Sequence, residues 1–309
     1  MNITTTMSDQ AIKNPRIKQG WLRVVLFGVA FLVITLLVAI PALLLIAGVK
    51  KEDIQADPVH ILASQLTGSY LWLILLLEAV ISLITVWIFR TFIDKKSFSS
   101  LGWDLSGYGA ESTTGLFIGP ALLGISALLL LASGHLQWTD VIWDPQSLFV
   151  SLGLVALIAF SEELVFRGYI LNNLLDSFPN KWIALGISAL LFAVFHITNP
   201  GIDFVAFINL CLAGLLLGIN YIYTKNLWYS VLLHLGWNFF QGPLLGFRVS
   251  GITLPSLLIA ETKGESLVTG GEFGLEGSVL TMTVSVIAIL VLAWAFERKY
   301  NSGKQLIAK

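Results

Sequence analysis

The sequence predicts an all-α, polytopic membrane protein of about eight transmembrane helices with a polar site inside the bundle. Three observations support this fold class. Hydrophobic residues make up 56% of the chain, charged residues make up 12%, and the mean hydropathy is +0.83. Because a soluble domain carries about 25% charged residues, a surface this poor in charge is better matched to lipid than to water.

Composition also excludes several classes of function. The net charge is −1 and no Lys/Arg-rich block occurs, so we expect no nucleic-acid partner. The single cysteine, Cys211, lies in an apolar stretch and excludes both an internal disulfide and a cysteine-based zinc site. We expect it to be a buried structural thiol.

Apolar runs recur along the chain, and most of them reach about the 20 residues that a transmembrane helix needs. Pro120 predicts a kink in the third run. The eight predicted spans are residues 24–49, 68–89, 113–132, 147–178, 182–198, 203–223, 227–240 and 278–296. We expect cytoplasmic tails at 1–20 and 298–309 around one membrane domain at 21–297, whose motifs concentrate in 148–240.

Basic residues support this count, since they favour the cytoplasmic side. The sequence therefore predicts that both termini are cytoplasmic. The short tails and the lack of targeting signals also lead us to expect the inner membrane of a prokaryotic cell. The segments predicted to lie inside carry Lys13, Arg16, Lys18, Arg23, Arg90, Lys95, Lys96, Arg167, Lys181, Lys225, Arg298, Lys299, Lys304 and Lys309. The segments predicted to lie outside carry Lys50, Lys51, Arg248 and Lys263.

Two polar features outside the main motifs need an interpretation. Glu78 falls near the middle of the second span, and we expect it to be tucked against a hydroxyl or backbone partner; the alternative is that it belongs to the site.

The Gly-rich segment 242–277 is too polar to span. We expect it to cap the outer side of the bundle, as a loop or a shallow re-entrant hairpin.

The stretch Ser161-Glu162-Glu163-Leu164-Val165-Phe166-Arg167-Gly168 follows an almost unbroken apolar run. Ionisable groups at membrane depth are costly and usually functional. In a helix Glu163 and Arg167 are four residues apart and share a face, which predicts a structural ion pair. Glu162 points elsewhere and is left available for chemistry.

Two of the four histidines also fall inside apolar helices. His196 and His234 require an explanation, whereas His60 and His135 lie in predicted loops and are expected to be solvated. Asn238 lies one helical turn after His234, on the same face. A lone histidine there is more often a hydrogen-bonded core residue, but two of them with an amide and two acids indicate a site.

Counting from the turns predicts that these groups meet. Glu162 lies 17 residues before Pro179 and His196 lies 17 residues after it, so both should lie about 25 Å from that turn. His234 and Asn238 lie 9 and 13 residues after Lys225, or roughly 14 to 20 Å deep. Glu162 would then be a general base. The two histidines and Asn238 could hold a divalent metal, with zinc the best candidate, or stabilise an oxyanion without metal.

These motifs, Glu162-Glu163-x-x-x-Arg167, Phe192-x-x-x-His196 and His234-x-x-x-Asn238, resemble the CPBP family of CAAX prenyl proteases and bacteriocin-processing enzymes, also called the Abi family. The resemblance implies an eight-helix intramembrane endopeptidase acting on a membrane-embedded or lipid-modified peptide. It also implies that Glu162 activates water and that Glu163 and Arg167 support the site. A zinc ion would be bound by His196, His234, Asn238 and Glu162.

Two other functions are compatible with the same cluster. A transporter could relay protons or bind an ion through the Glu/His groups, but neither an inverted repeat nor paired broken helices are evident in the sequence. An inactive immunity or scaffold protein could keep the fold alone, but the intact Glu162, His196, His234 and Asn238 argue against that. The sequence therefore favours the peptidase.

Overall fold

The computed structural model describes residues 14–39, 41, 42, 45 and 71–307. The predictions for His60, for Lys50 and Lys51, and for the first residues of the second span lie outside the described residues. So do most of the tail predicted at 1–20 and residues 40, 43, 44 and 46–49 of the first span.

The described chain is mainly helical. Its long helices are α1 Gly20–Ile34, α2 Leu71–Ile88, α3 Gly109–Ala132, α4 Pro145–Glu163, α5 Lys181–Phe195, α6 Phe204–Gly218, α7 Trp228–Phe239 and α8 Val279–Ile307. Shorter helical pieces extend or join them: Thr35–Ala39, Phe89–Ile93, Phe98–Leu101, Leu164–Leu171, Asn172–Leu175, Tyr221–Thr224, Phe240–Leu244, Ser266–Thr269 and Leu275–Gly277.

The prediction of a polytopic all-α membrane fold is confirmed, but the number of spans is wrong. Among the described residues, six helices rather than eight are long and apolar enough to cross a membrane. These are Gly20–Val38, Leu71–Ile93, Gly109–Ala132, Pro145–Leu175, Phe204–Thr224 and Val279–Tyr300.

The two helices that fall short are α5 and α7, which contain 15 and 12 residues. The piece Phe240–Leu244 adds 5 residues to α7. At 1.5 Å per residue, α5 and the extended α7 reach about 22 and 25 Å, less than the roughly 30 Å of a bilayer's hydrocarbon core. They are also the helices that precede His196 and carry His234. The cytoplasmic location of the termini stays a prediction.

Side-chain caps fix where the site helices begin. Asp144, Asn180 and Asp203 each accept a hydrogen bond from a backbone N–H in the first turn of α4, α5 and α6, at 3.1, 2.9 and 2.8 Å. Pro145 also occupies the first position of α4, where its missing N–H costs nothing. These caps set the helical phase of the polar residues further along.

The outside of the bundle is apolar, and small residues let its helices approach closely inside. Leu128, Phe149 and Trp294 are more than 60% exposed, as suits a surface that faces lipid.

Gly236 of α7 packs against the backbone of α3, where a Cβ atom would come within 2.2 Å of the Leu116 carbonyl oxygen. Close approach of this kind provides the packing that helices need in a membrane. Pro120 lies inside α3, which continues past it.

A two-stranded antiparallel sheet joins two segments that the sequence predicts as loops. Strand β1, Leu136–Val141, pairs with β2, Leu258–Thr262, with an irregularity between Trp138 and Asp140. Trp138 Nε1 donates to the Leu245 carbonyl oxygen at 3.0 Å. The pairing joins residues more than 100 positions apart, so no local pattern marks it. It ties the 242–277 segment to the loop after α3.

A buried charge cluster joins α1, α2 and the extension of α4. Asp94 is fully buried and lies 3.3 Å from Arg23 and 3.0 Å from Arg90, both of which are also buried. The Tyr169 hydroxyl and the Asn173 amide donate to its two oxygens, each at 3.2 Å. Asp94 pairs with two buried guanidinium groups, and Arg23 also lies 3.4 Å from Asp176, so the cluster holds three helices together.

Replacing Asp94 should therefore be strongly destabilising. Asp94→Ala leaves Arg90 buried without a counter-charge. It also leaves Arg23 with only the partly exposed Asp176, 3.4 Å away, so the loss should be about 3–5 kcal/mol. Thermal unfolding of the purified protein in detergent should show a lowered midpoint.

The matched control is Lys96→Ala, because Lys96 pairs with Asp176 at 2.9 Å in a partly exposed position. That change should cost less than about 1 kcal/mol. Equal midpoints for the two variants would contradict the role given to the Asp94 cluster.

Candidate active site

A cavity of about 310 Å³ lies inside the bundle, with walls from α2, α4, α5, α6, α7 and the segment after α7. Its walls are largely apolar, with Phe166 and Phe192 among the lining side chains. The four residues predicted to carry the chemistry all line it: Glu162, His196, His234 and Asn238. The structure thus brings together residues that lie up to 76 positions apart in the sequence, on α4, on α7 and at the end of α5.

Glu163 and Arg167 form an ion pair at the end of α4. Arg167 Nη1 lies 2.8 Å from Glu163 Oε1, and both side chains are buried. Arg167 Nη2 also donates to the Gly214 carbonyl oxygen of α6 at 3.0 Å. The helix widens to π-helical geometry over Leu164–Leu171, directly after Glu163, and this widened part carries Arg167. Such widening is uncommon and is frequently found at functional sites.

Glu163 has a second partner that the sequence did not predict. Its Oε1 atom also lies 2.9 Å from His234 Nδ1, so one carboxyl oxygen joins α4 to α7. A carboxylate that pairs with Arg167 can only accept a hydrogen bond, and Nδ1–H of His234 therefore donates to it. In the neutral imidazole the Nε2 atom then carries the lone pair and faces the cavity.

His196 is oriented in the same way by a backbone group. Its Nδ1 atom lies 2.7 Å from the Phe192 carbonyl oxygen, which can only accept, so Nδ1–H donates. His196 Nε2 lies 3.5 Å from Glu162 Oε2, and His234 Nε2 lies 4.0 Å from the same oxygen. The buried Oε2 atom accepts no hydrogen bond from any described residue. Separations this long between polar atoms leave room for a bridging water molecule.

Asn238 supplies the one amide among the predicted site residues. It lies one turn beyond His234 on α7, is 3% exposed and lines the cavity. No hydrogen bond joins its side chain to the part of the chain that the structure describes. Both its N–H donors and its carbonyl oxygen are therefore available to a ligand.

The donor atoms at this site are of kinds that zinc binds, namely imidazole nitrogen and carboxylate oxygen. Within residues 14–45 and 71–307, as far as these are described, no group of three or more His, Cys, Asp or Glu side chains is placed to hold one ion. Metal binding by these residues stays a prediction.

Glu78 of α2 also lines the cavity. The sequence favoured a packing role against a hydroxyl or backbone partner, but no described residue forms a hydrogen bond or ion pair with this carboxyl. It faces the same space as Glu162 and His196. Its position at mid-span was the available signal, yet no motif surrounds it to distinguish a site residue from a packing one.

Sequence reasoning missed the polar residues that the 242–277 segment and its flanks contribute. Ser250 and Glu276 line the cavity beside Trp237 of α7. Burial raises the pKa of the Glu276 carboxyl, while hydrogen bonds from Ser250 and Trp237 oppose that shift. Residues of this segment thus form part of the cavity wall. Only the tertiary structure places residues so distant in sequence at the site.

Residues 144–240, just under a third of the chain, match the model of a protein family described as type II CAAX prenyl endopeptidase Rce1-like. The matched range contains every motif on which the resemblance to the CPBP and CAAX protease family rests, and the resemblance is confirmed. The match supports a membrane protease activity. No curated protein and no solved structure matches the chain significantly.

Because Glu163 binds both Arg167 and His234, its replacement should affect activity as well as stability. Glu163→Gln removes the charge that both Arg167 and His234 bind, and charged hydrogen bonds are about twice as strong as neutral ones. We expect a lower yield of folded protein and a roughly 10–100-fold loss of activity in the protein that does fold. Peptidase assays normalised to the folded fraction would measure the second effect.

Arg167→Gln is the matched control, since it breaks the ion pair but leaves the Glu163 contact with His234. It should lower stability without a comparable loss of activity per folded molecule. If the two variants lose activity equally, Glu163 does not act through His234.

Proposed function

We propose that the chain is a membrane-embedded endopeptidase that hydrolyses a peptide bond of a membrane-associated or lipidated peptide substrate. The observation that carries this proposal is the convergence of Glu162 Oε2 with Nε2 of His196 and His234 in one cavity, at 3.5 and 4.0 Å. A carboxylate and two nitrogen acceptors around one point are suited to hold and deprotonate a water molecule.

The first step follows from the orientation of these groups. A water between these atoms can donate one O–H to Glu162 Oε2 and the other to one of the two Nε2 atoms, which directs its lone pairs toward the open part of the cavity. Glu162 removes a proton as the water oxygen attacks the carbonyl carbon of the peptide. General-base assistance of this kind contributes about 10²–10⁴-fold to rate.

Asn238 is suited to the charge that develops next. The attack leaves a negative oxygen on the tetrahedral carbon, and the Asn238 amide is a donor at the cavity wall with no other described partner. One such donor is worth about 10²–10³ in kcat. When the C–N bond breaks, the proton held by Glu162 passes to the leaving nitrogen. The products are a new carboxylate and a new amine.

The nature of the cavity bears on the substrate. Its walls are mostly apolar and it lies inside a bundle whose outer surface suits lipid. A peptide that reaches it would therefore come from the membrane or carry a lipid. A prenylated C-terminal Cys-aliphatic-aliphatic-X peptide is the substrate class that the matched family's description names, and it is the first candidate to test.

The central prediction concerns Glu162. Glu162→Gln keeps the size of the side chain but removes the base, so cleavage should fall by about 10²–10⁴-fold while the protein still inserts and folds. His196→Ala should also abolish cleavage, because it removes one of the groups that hold the water. Comparative proteomics of membranes containing wild-type or Glu162→Gln protein would reveal the uncleaved substrate.

Glu265→Gln is a suitable control, since Glu265 is an exposed acid in the segment after α7. It should cleave as the wild type does. Unchanged cleavage by Glu162→Gln would refute the proposed mechanism. An ion flux lost in that variant, with no change in any peptide, would favour transport instead.

Zinc binding remains a separate prediction, with His196, His234, Asn238 and Glu162 as the ligands. Elemental analysis of the purified protein should then find stoichiometric zinc, and a chelator should abolish activity. Zinc-free protein with full activity would contradict the prediction and leave water activation to Glu162 and the two histidines.

A further inference from the structure

Glu276 connects two parts of the site that come from different helices. It lies just before α8, is 9% exposed and has both carboxyl oxygens occupied. Oε1 accepts from the Ser250 backbone N–H and from the Ser250 hydroxyl, the latter at 2.8 Å. Oε2 accepts from Trp237 Nε1 at 3.1 Å. One side chain thus holds a turn of the 242–277 segment against α7.

The turn that contains Ser250 is itself fastened behind His196. Asn199 Nδ2 donates to the Ser250 carbonyl oxygen at 3.2 Å, and the Asn199 backbone N–H donates to the His196 carbonyl oxygen at 3.0 Å. The contact is close, because a Cβ atom on Gly251 would lie 2.1 Å from the Pro200 carbonyl oxygen. Gly251 has a φ of +84°, which also favours glycine.

On the other side, Trp237 is adjacent in sequence to Asn238 and one turn from His234. The backbone of Glu276 is fixed as well, since Asn209 Nδ2 of α6 donates to its carbonyl oxygen at 2.7 Å. A continuous set of hydrogen bonds therefore runs from the turn after His196, through Ser250 and Glu276, to the helix that carries His234 and Asn238.

We propose that Glu276 is a positioning residue, which sets the spacing between His196 on one side of the cavity and His234 with Asn238 on the other. This inference rests on the proposed peptidase function for its kinetic consequence, but not for its geometry. His196 needs support from outside its own helix. The chain leaves α5 at Phe195, so His196 lies beyond the helix and depends on the packing of its turn for its position.

The role predicts a loss of rate without a loss of substrate binding. Glu276→Ala releases both Ser250 and Trp237, and misplacement of reacting groups by about 1 Å can cost 100-fold in rate. We expect kcat to fall about 10–100-fold, with KM within about twofold of the wild type. The probe is an internally quenched, farnesylated Cys-aliphatic-aliphatic-Met peptide, and the enzyme is the full chain in detergent micelles.

Two conservative variants test the route of the effect. Glu276→Gln keeps an oxygen acceptor and should restore part of the lost kcat. Trp237→Phe removes the Nε1 donor alone and should cause a smaller loss than Glu276→Ala. Glu265→Ala, an exposed acid in the same segment, should leave both kcat and KM unchanged.

Hydrogen–deuterium exchange tests the geometry without any substrate. In Glu276→Ala the backbone amides of residues 196–202 and 249–252 should exchange faster, while those of α3 and α4 should match the wild type. Unchanged exchange in both turns, or equally faster exchange along every helix, would overturn the positioning role. So would a wild-type kcat in Glu276→Ala. If wild-type protein shows no Glu162-dependent cleavage, the proposed function fails, and the exchange result still decides the role of Glu276.

Discussion

A buried carboxylate needs a positive or hydrogen-bonding partner, and Glu163 meets this need in a way that organises the whole site. It is fully buried and binds both Arg167 at 2.8 Å and His234 at 2.9 Å. Arg167 in turn reaches the backbone of α6 at Gly214. Leaving either charge unpaired in an apolar interior would be strongly destabilising. The same contacts that neutralise the pair therefore also fix His234 relative to Glu162.

Polar chemistry inside a membrane protein requires interruptions of regular helical packing, and they are concentrated here around the cavity. The helix that carries Glu162 widens directly after Glu163, α5 stops one residue before His196, and α7 widens after only 12 residues, over Phe240–Leu244. Short helices at membrane depth leave backbone groups that need partners, which is tolerated where they line a cavity or are buried in protein. The Phe192 carbonyl is one such group, and the His196 imidazole is its partner.

The segment after α7 gives the site its remaining wall. Strand β2 ties this segment to the loop after α3, and Glu276 ties it to α7. Three acids, Glu78, Glu162 and Glu276, face one cavity in different ways. Glu276 is satisfied by Ser250 and Trp237, whereas neither Glu78 nor the Oε2 atom of Glu162 has a hydrogen-bond partner among the described residues. Glu276 is therefore suited to position its neighbours, whereas Glu162 has an oxygen available to react.

The sequence by itself determined the membrane-helical class, the Glu163–Arg167 pair and the group formed by Glu162, His196, His234 and Asn238. Hydropathy, the four-residue helical repeat and equal rise per residue are local rules, and these features follow from them. The number of spans did not follow from these rules. Whether an apolar helix is long enough to span depends on where it begins and ends, and hydropathy alone does not fix those residues. The second bond of Glu163, the β1–β2 pairing and the placement of Glu78 and Glu276 at the cavity were decided by tertiary structure alone. Each of them joins side chains or strands that are distant in sequence, and no local pattern records which distant segments will meet.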